Sequence, residues 1–135
     1  MLFRSRAAIV EAELRARQGA PAWAYQLDWG SPMDGGKWRA PHTLDIPLVF
    51  GTLDAPGSIT GTAADAKAVS AQMMGAFLAF ARRGDPNGAG LPRWEPYQLP
   101  RRQTMVFDVT SRLEDDPRGA ERRLFEKVPF VQQGT

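Results

Sequence analysis

The sequence predicts an α/β domain, a few strands with flanking helices. Three stretches carry the prediction. Residues 22 to 29 alternate Trp23, Tyr25, Leu27 and Trp29 with Ala24, Gln26 and Asp28, the period of two expected of a strand with one deeply packed face. Residues 63 to 83 align Val69, Met73, Phe77 and Phe80 in one helical stripe, widened by Met74, Leu78 and Ala81. Residues 5 to 18 place Ala7, Val10 and Leu14 at helical spacing among Arg and Glu. At 135 residues the chain holds one domain, and 43% hydrophobic with 24% charged residues is ordinary for a globular protein. Residues 1–135 are therefore read as a single domain segment.

Each element has a local justification. Ser5 is placed to cap the first helix and Gly19 to end it, and Ala20-Pro21 prevents continuation. After the strand, Gly30-Ser31-Pro32, Asp34-Gly35-Gly36 and Pro41 exclude a regular element over 30 to 41. Leu44, Ile46, Leu48, Val49 and Phe50 form a short apolar segment broken by Pro47, and a second loop runs from Gly51 to Gly61. Thr62 with Asp65 reads as a capping box for the long helix. Arg82 and Arg83 suit its negative end, and Gly84 its C′ position.

The stretch from 84 to 103 is rich in turns, with Trp94 and Tyr97 as aromatic pegs. Thr104 to Val109 reads as a strand. Asp116-Pro117 opens a last helix to about Val128, with Ala120, Leu124 and Val128 facing inward. Two strands and three helices leave sheet edges unmanaged, and a two-stranded sheet is marginal in water. The chain therefore reads as part of a larger fold.

Composition excludes several classes of function. Without cysteine there are no disulfides, no thiolate catalysis and no Cys-based metal site. One histidine would need three carboxylates to complete a metal site, so neither metal nor cofactor is expected. The net charge is only +2, from 17 basic and 15 acidic residues. The arginine pairs at 82–83, 101–102 and 122–123 are flanked by acidic residues or prolines, which reads as solvated surface and not as a nucleic-acid patch. No apolar run approaches the roughly 20 residues of a membrane span. The N-terminus lacks the apolar core of a secretory signal, so a cytoplasmic location is expected.

The lone histidine, His42, is the candidate for chemistry. It sits in a proline-punctuated loop between the aromatic strand and the apolar segment. Imidazole both takes and gives a proton near neutral pH, and such groups are usually displayed on loops held by a rigid scaffold.

The surrounding residues resemble a known family, the type-B carboxylesterases of the α/β-hydrolase superfamily, with bacterial p-nitrobenzyl esterases the nearer likeness. Ala24-Tyr25-Gln26-Leu27-Asp28-Trp29 resembles the family's aromatic strand. Ala40-Pro41-His42-Thr43-Leu44-Asp45-Ile46-Pro47-Leu48-Val49-Phe50 resembles its Gly-Ala-x-His-x-x-(Glu/Asp)-(Ile/Leu)-Pro-x-Val-Phe signature, with Pro41 standing where a small residue is usual. Phe80-Ala81-Arg82-Arg83-Gly84-Asp85-Pro86-Asn87 resembles its helix end and turn. Leu91-Pro92-Arg93-Trp94-Glu95-Pro96-Tyr97 with Thr104-Met105-Val106-Phe107-Asp108 resembles its closing segment.

The resemblance implies the C-terminal fragment of an α/β-hydrolase fold, with His42 at the catalytic triad histidine and Asp45 in a structural role. It implies ester hydrolysis by acyl transfer through a serine, a small-molecule ester as substrate, no cofactor, and no nucleic-acid or membrane partner. None of Ser5, Ser31, Ser58, Ser70 and Ser111 has glycine at both flanking positions of a G-x-S-x-G elbow. The expectation is a segment inactive alone, with the nucleophile, the acid and the oxyanion amides supplied by an N-terminal part. The alternative expectation is a binding or assembly module derived from that fold, self-associating through an exposed sheet edge.

Overall fold

Four α-helices and three strands lie among the described residues, where the sequence predicted three helices and two strands. The structure, a computed structural model, describes residues 2–88 and 90–129. In chain order the elements are α1 (Leu2–Arg17), β1 (Ala24–Leu27), α2 (Asp45–Phe50), α3 (Ala64–Arg83), β2 (Gln103–Phe107), β3 (Arg112–Asp115) and α4 (Gly119–Glu126), with a 3-10 turn at Met33–Gly36. The strands form one sheet in the order β1–β2–β3. The chain divides into two units, residues 25–94 with 105–113, and residues 1–24 with 95–104 and 114–135.

In the first of these units the core gathers around β2. Met105, Val106 and Phe107 are fully buried in succession, the pattern of a central strand covered on both faces. Trp94 packs edge-on against Phe107 at 5.7 Å, and the peg expected from the sequence is buried. The Asn87 side chain clips the turn before it, donating to the Trp94 carbonyl at 2.8 Å and accepting from the Trp94 amide at 2.6 Å.

Helix α3 buries Ala66, Val69, Ser70, Met73 and Ala76. This inner face is narrower and smaller than the expected stripe, for Phe77, Leu78 and Phe80 remain exposed. The expected capping box also differs. Ala63, not Thr62, is the N-cap and makes no side-chain cap bond. Asp65 instead accepts a hydrogen bond from the Trp29 indole at 3.1 Å, so a tertiary partner takes the carboxylate from its local role. The other end follows expectation: Gly84 adopts φ 70° and its N–H closes on the Phe80 carbonyl at 2.7 Å.

The apolar segment around Pro47 is a helix and not a broken run. Pro47 lies in the first turn of α2, where its missing N–H has no intrahelical acceptor to lose. Leu48 is fully buried, and its carbonyl accepts the Ser70 hydroxyl of α3 at 2.8 Å.

In the second unit, α1 begins at Leu2, so Ser5 lies inside the helix and not at its N-cap. Ala12 is buried while Leu14 is exposed, because the inward face carries Glu13, whose carboxylate pairs with Arg102 at 2.9 Å. Tyr97 is buried as expected, and its N–H donates to the Ala22 carbonyl at 2.7 Å.

Helix α4 turns a different face inward from the expected one. Leu124 is 61% exposed and Val128 51% exposed, and Ala120 is exposed too. Gly119 is buried and Arg122 closes a fork on Asp116 at 2.8 to 3.2 Å. Asp116 therefore serves Arg122 and not the helix start, where Arg118 is the N-cap. A Cβ on Gly119 would meet the Asp116 carboxylate at 2.5 Å, so the close approach requires glycine there. Strand β3 was absent from the sequence expectation. Its Arg112-Leu113-Glu114-Asp115 is an edge strand, and charge is what edge strands carry.

Candidate active site

The geometry around His42 is set by a tight turn. Residues 42 to 44 are turn, and α2 starts at Asp45. The Leu44 amide donates to the Pro41 carbonyl at 3.3 Å and the Ile46 amide to the Thr43 carbonyl at 3.1 Å. The Thr43 hydroxyl donates to the His42 carbonyl. Thr43 itself holds φ 73°, an outlier for a β-branched residue. Such a conformation costs about 1–3 kcal/mol and persists only where the surroundings over-determine it. Leu44, almost wholly buried, plugs the turn into the core, and His42 stays exposed.

The loop leading into the turn is also closed on itself. Ser31 N–H donates to the Arg39 carbonyl at 2.7 Å, and the buried Ser31 hydroxyl reaches the Ile59 carbonyl. Gly30 is needed where Arg39 crosses it, since a Cβ would lie 3.1 Å from the Arg39 Cα. The exposed tip carries Trp38, whose indole donates to Asp34 at 2.9 Å, with the Lys37 ammonium 4.8 Å from its ring centre.

Asp45 is fixed by a residue the sequence did not single out for the site. The Tyr25 hydroxyl donates to Asp45 Oδ2 at 2.8 Å. The Tyr25 ring stands edge-on to Phe77 at 5.7 Å and to Phe107 at 5.8 Å. Desolvation, and next the hydrogen bond to the Asp45 carboxylate, push the phenol above its ordinary range. The signal available in the sequence was weak: a tyrosine where phenylalanine would pack as well implies a partner for its hydroxyl.

His42 and Asp45 thus share one turn, and Tyr25 joins them from β1. Among the described residues no group of three or more His, Cys, Asp or Glu side chains is placed to hold a metal ion. No helix among them is long and apolar enough to cross a membrane. What the arrangement offers chemically is one exposed imidazole on a braced turn, suited to proton transfer.

Comparison with known proteins identifies a family. The family model described as the carboxylesterase family matches residues 2–125. The para-nitrobenzyl esterase of Bacillus subtilis is 32% identical over 109 residues, covering 77% of this chain and 21% of that protein. The phenmedipham hydrolase of Pseudarthrobacter oxydans is 34% identical over 101 residues, covering 72% of this chain and 20% of its own length.

Among solved structures, the carboxylesterase EST55 of Geobacillus stearothermophilus superposes with a TM-score of 0.71 at 40% identity, over 83% of this chain and 23% of that one. A thermophilic p-nitrobenzyl esterase gives a TM-score of 0.71 at 28% identity, over 86% of this chain and 24% of its own. These neighbours have the α/β-hydrolase fold, and the strands and flanking helices described above correspond to part of it. The chain spans about a fifth of the length of the curated relatives it matches.

Proposed function

Because this chain belongs to the carboxylesterase family, we propose that it is the histidine-bearing segment of a serine carboxylesterase, with His42 as the general base of carboxylic ester hydrolysis. In that reaction the imidazole takes the proton of a serine hydroxyl as its oxygen attacks the ester carbonyl. It then returns the proton to the leaving alcohol, and the same cycle with water releases the acid. A carboxylate orients the imidazole, and backbone amides hold the oxyanion. No serine of this chain sits in a G-x-S-x-G elbow. The nucleophile, the orienting carboxylate and the oxyanion amides come from residues outside this segment. Asp45 is assigned a structural role, with its Oδ2 accepting the Tyr25 hydroxyl at 2.8 Å.

The observation that carries this reading is the exposed lone imidazole at the turn entering α2, within a chain whose family match runs nearly end to end. The test is a chimera in which this chain replaces the matched segment of the Bacillus subtilis para-nitrobenzyl esterase. The chimera is expected to hydrolyse a p-nitrophenyl ester, and His42→Ala to lower its kcat by about 10⁴-fold or more. The isolated chain is expected neither to turn over the ester nor to react with a fluorophosphonate probe. A folded, active chimera indifferent to His42→Ala refutes the proposal, as does His42-dependent turnover by the isolated chain. A folded but inactive chimera, with a monodisperse isolated chain, favours a non-catalytic assembly module instead.

A further inference from the structure

We infer that Tyr25 and Asp45 are positioning residues for His42: a phenol–carboxylate latch that holds the strained Thr43 turn and so aims the imidazole. This rests on the reading of His42 as general base, and adds how the chain presents that base. The argument starts from Thr43. A β-branched residue at φ 73° is strained and persists where its surroundings hold it. Within the turn, Leu44 is sunk in the core and the Pro41 and Thr43 carbonyls are occupied by the Leu44 and Ile46 amides. Just beyond it, the first residue of α2 is Asp45, and its carboxylate is held at 2.8 Å by the Tyr25 hydroxyl of β1.

Tyr25 is fixed in its turn by two edge-on rings. One of them belongs to Phe107 of the central strand, which has no exposed surface. A continuous path of contacts therefore runs from the β2 core through Tyr25 to Asp45, two residues beyond Thr43 and three beyond His42. The phenol keeps its proton well past the range in which an imidazole works, so the donor is present whenever the base is.

The latch is not what seats α2 in the fold. Leu48 is fully buried, and the Ser70 hydroxyl ties its carbonyl to α3. Breaking the latch is expected to free the turn more than it loosens the domain. That difference separates a positioning role from a purely structural one.

His42 is the only histidine, so its imidazole resonances in the isolated chain need no separation from others. Tyr25→Phe keeps the ring and removes the hydroxyl, and Asp45→Ala removes the acceptor. Each is expected to drop the backbone order parameters of His42 and Thr43 from about 0.85 to below about 0.6. Asp45→Asn keeps an acceptor oxygen for the phenol and is expected to hold wild-type order. Val69→Ala, a core truncation in α3, is expected to lower the melting temperature while leaving His42 rigid.

In the esterase chimera, Tyr25→Phe is expected to lower kcat by about 10–100-fold with KM nearly unchanged, as a misaimed base would. The latch is overturned if Tyr25→Phe and Asp45→Ala both leave the turn ordered, or if Val69→Ala disorders it equally. Those outcomes leave His42 standing as the base. A chimera indifferent to His42→Ala, or one that folds but is inactive, removes that premise instead.

Discussion

Leu48→Ala is expected to cost about 3 kcal/mol of stability. Leu48 has no exposed surface, and it sits in the six-residue helix that follows the His42 turn. The change removes three carbons. At about 0.8 kcal/mol for each buried methylene, transfer alone accounts for roughly 2.4 kcal/mol, and the residual cavity adds to it. The Ser70 hydroxyl still holds the residue 48 carbonyl at its present position, so the helix cannot slide to fill the space.

In a domain of this size the loss corresponds to a fall in Tm of about 10 °C. Leu48→Met conserves volume and is expected to cost less than about 1.5 kcal/mol. Phe50→Ala, at a position 72% exposed on the same helix, is expected to stay within about 0.5 kcal/mol of wild type. Urea unfolding followed by circular dichroism, with the slope m unchanged among variants, gives these values. A cost below about 1 kcal/mol for Leu48→Ala, or an equal cost for Phe50→Ala, would show that α2 is not anchored through Leu48.

Three further outcomes follow from the same structure. Gly84→Ala is expected to destabilise by about 1 kcal/mol, since a Cβ there meets nothing within 4 Å but must adopt φ 70°. Gly84→Asn is expected to lose less, and equal melting temperatures for all three proteins would contradict this. Hydrogen bonds from Arg122 hold the Asp116 carboxyl below the usual carboxylate range. A lowered native pKa stabilises above the unfolded value of about 3.9 and is lost as pH falls through the native one. Wild type is therefore expected to lose stability below about pH 4 more steeply than Asp116→Asn; parallel acid limbs in thermal melts refute it. Burial, and next the Glu13 charge, push the Tyr97 phenol up to about 12, and Tyr25 is raised as well. Raised native values confer stability that is present below about pH 10 and lost as pH rises through them. An ultraviolet titration is expected to show no phenolate in the folded chain below about pH 11, and a midpoint near 10 with native circular dichroism would count against it.

Burial was legible at β2 and the aromatic pegs, though not along α3 or β1, where Phe77, Phe80 and Tyr25 of the expected apolar faces are exposed. The three apolar residues Met105, Val106 and Phe107 announce a strand, and the structure makes them its centre. Gly84 ends α3 as its position implies, and Trp94 and Tyr97 are buried in a stretch otherwise made of turns. Where a polar partner decides, the pattern misled. Apolar spacing chose Leu124 and Val128 for the inner face of α4, but the Asp116–Arg122 fork draws the opposite face inward. Leu14 gave way to Glu13 on α1 because Glu13 finds Arg102. A long-range ion pair leaves no periodic trace, and a four-residue charged edge strand such as β3 has no apolar alternation to reveal it.

The same division runs through the candidate site. His42 stood out because it is the only imidazole and lies in a stretch with a family likeness; the structure places it exposed at the turn entering α2. The brace behind it was invisible for a physical reason. Tyr25 and Asp45 are 20 residues apart, and each has an ordinary local explanation, one as a strand aromatic and the other as a first-turn acid. Only their meeting at 2.8 Å turns those two explanations into a third. The cost of Thr43 at positive φ is the reason such a meeting matters. A turn that holds a strained residue beside the imidazole is served by a tether from outside itself. Here the tether comes from β1, the strand next to the buried β2, and Tyr25 reaches Asp45 from there while its ring rests on Phe107.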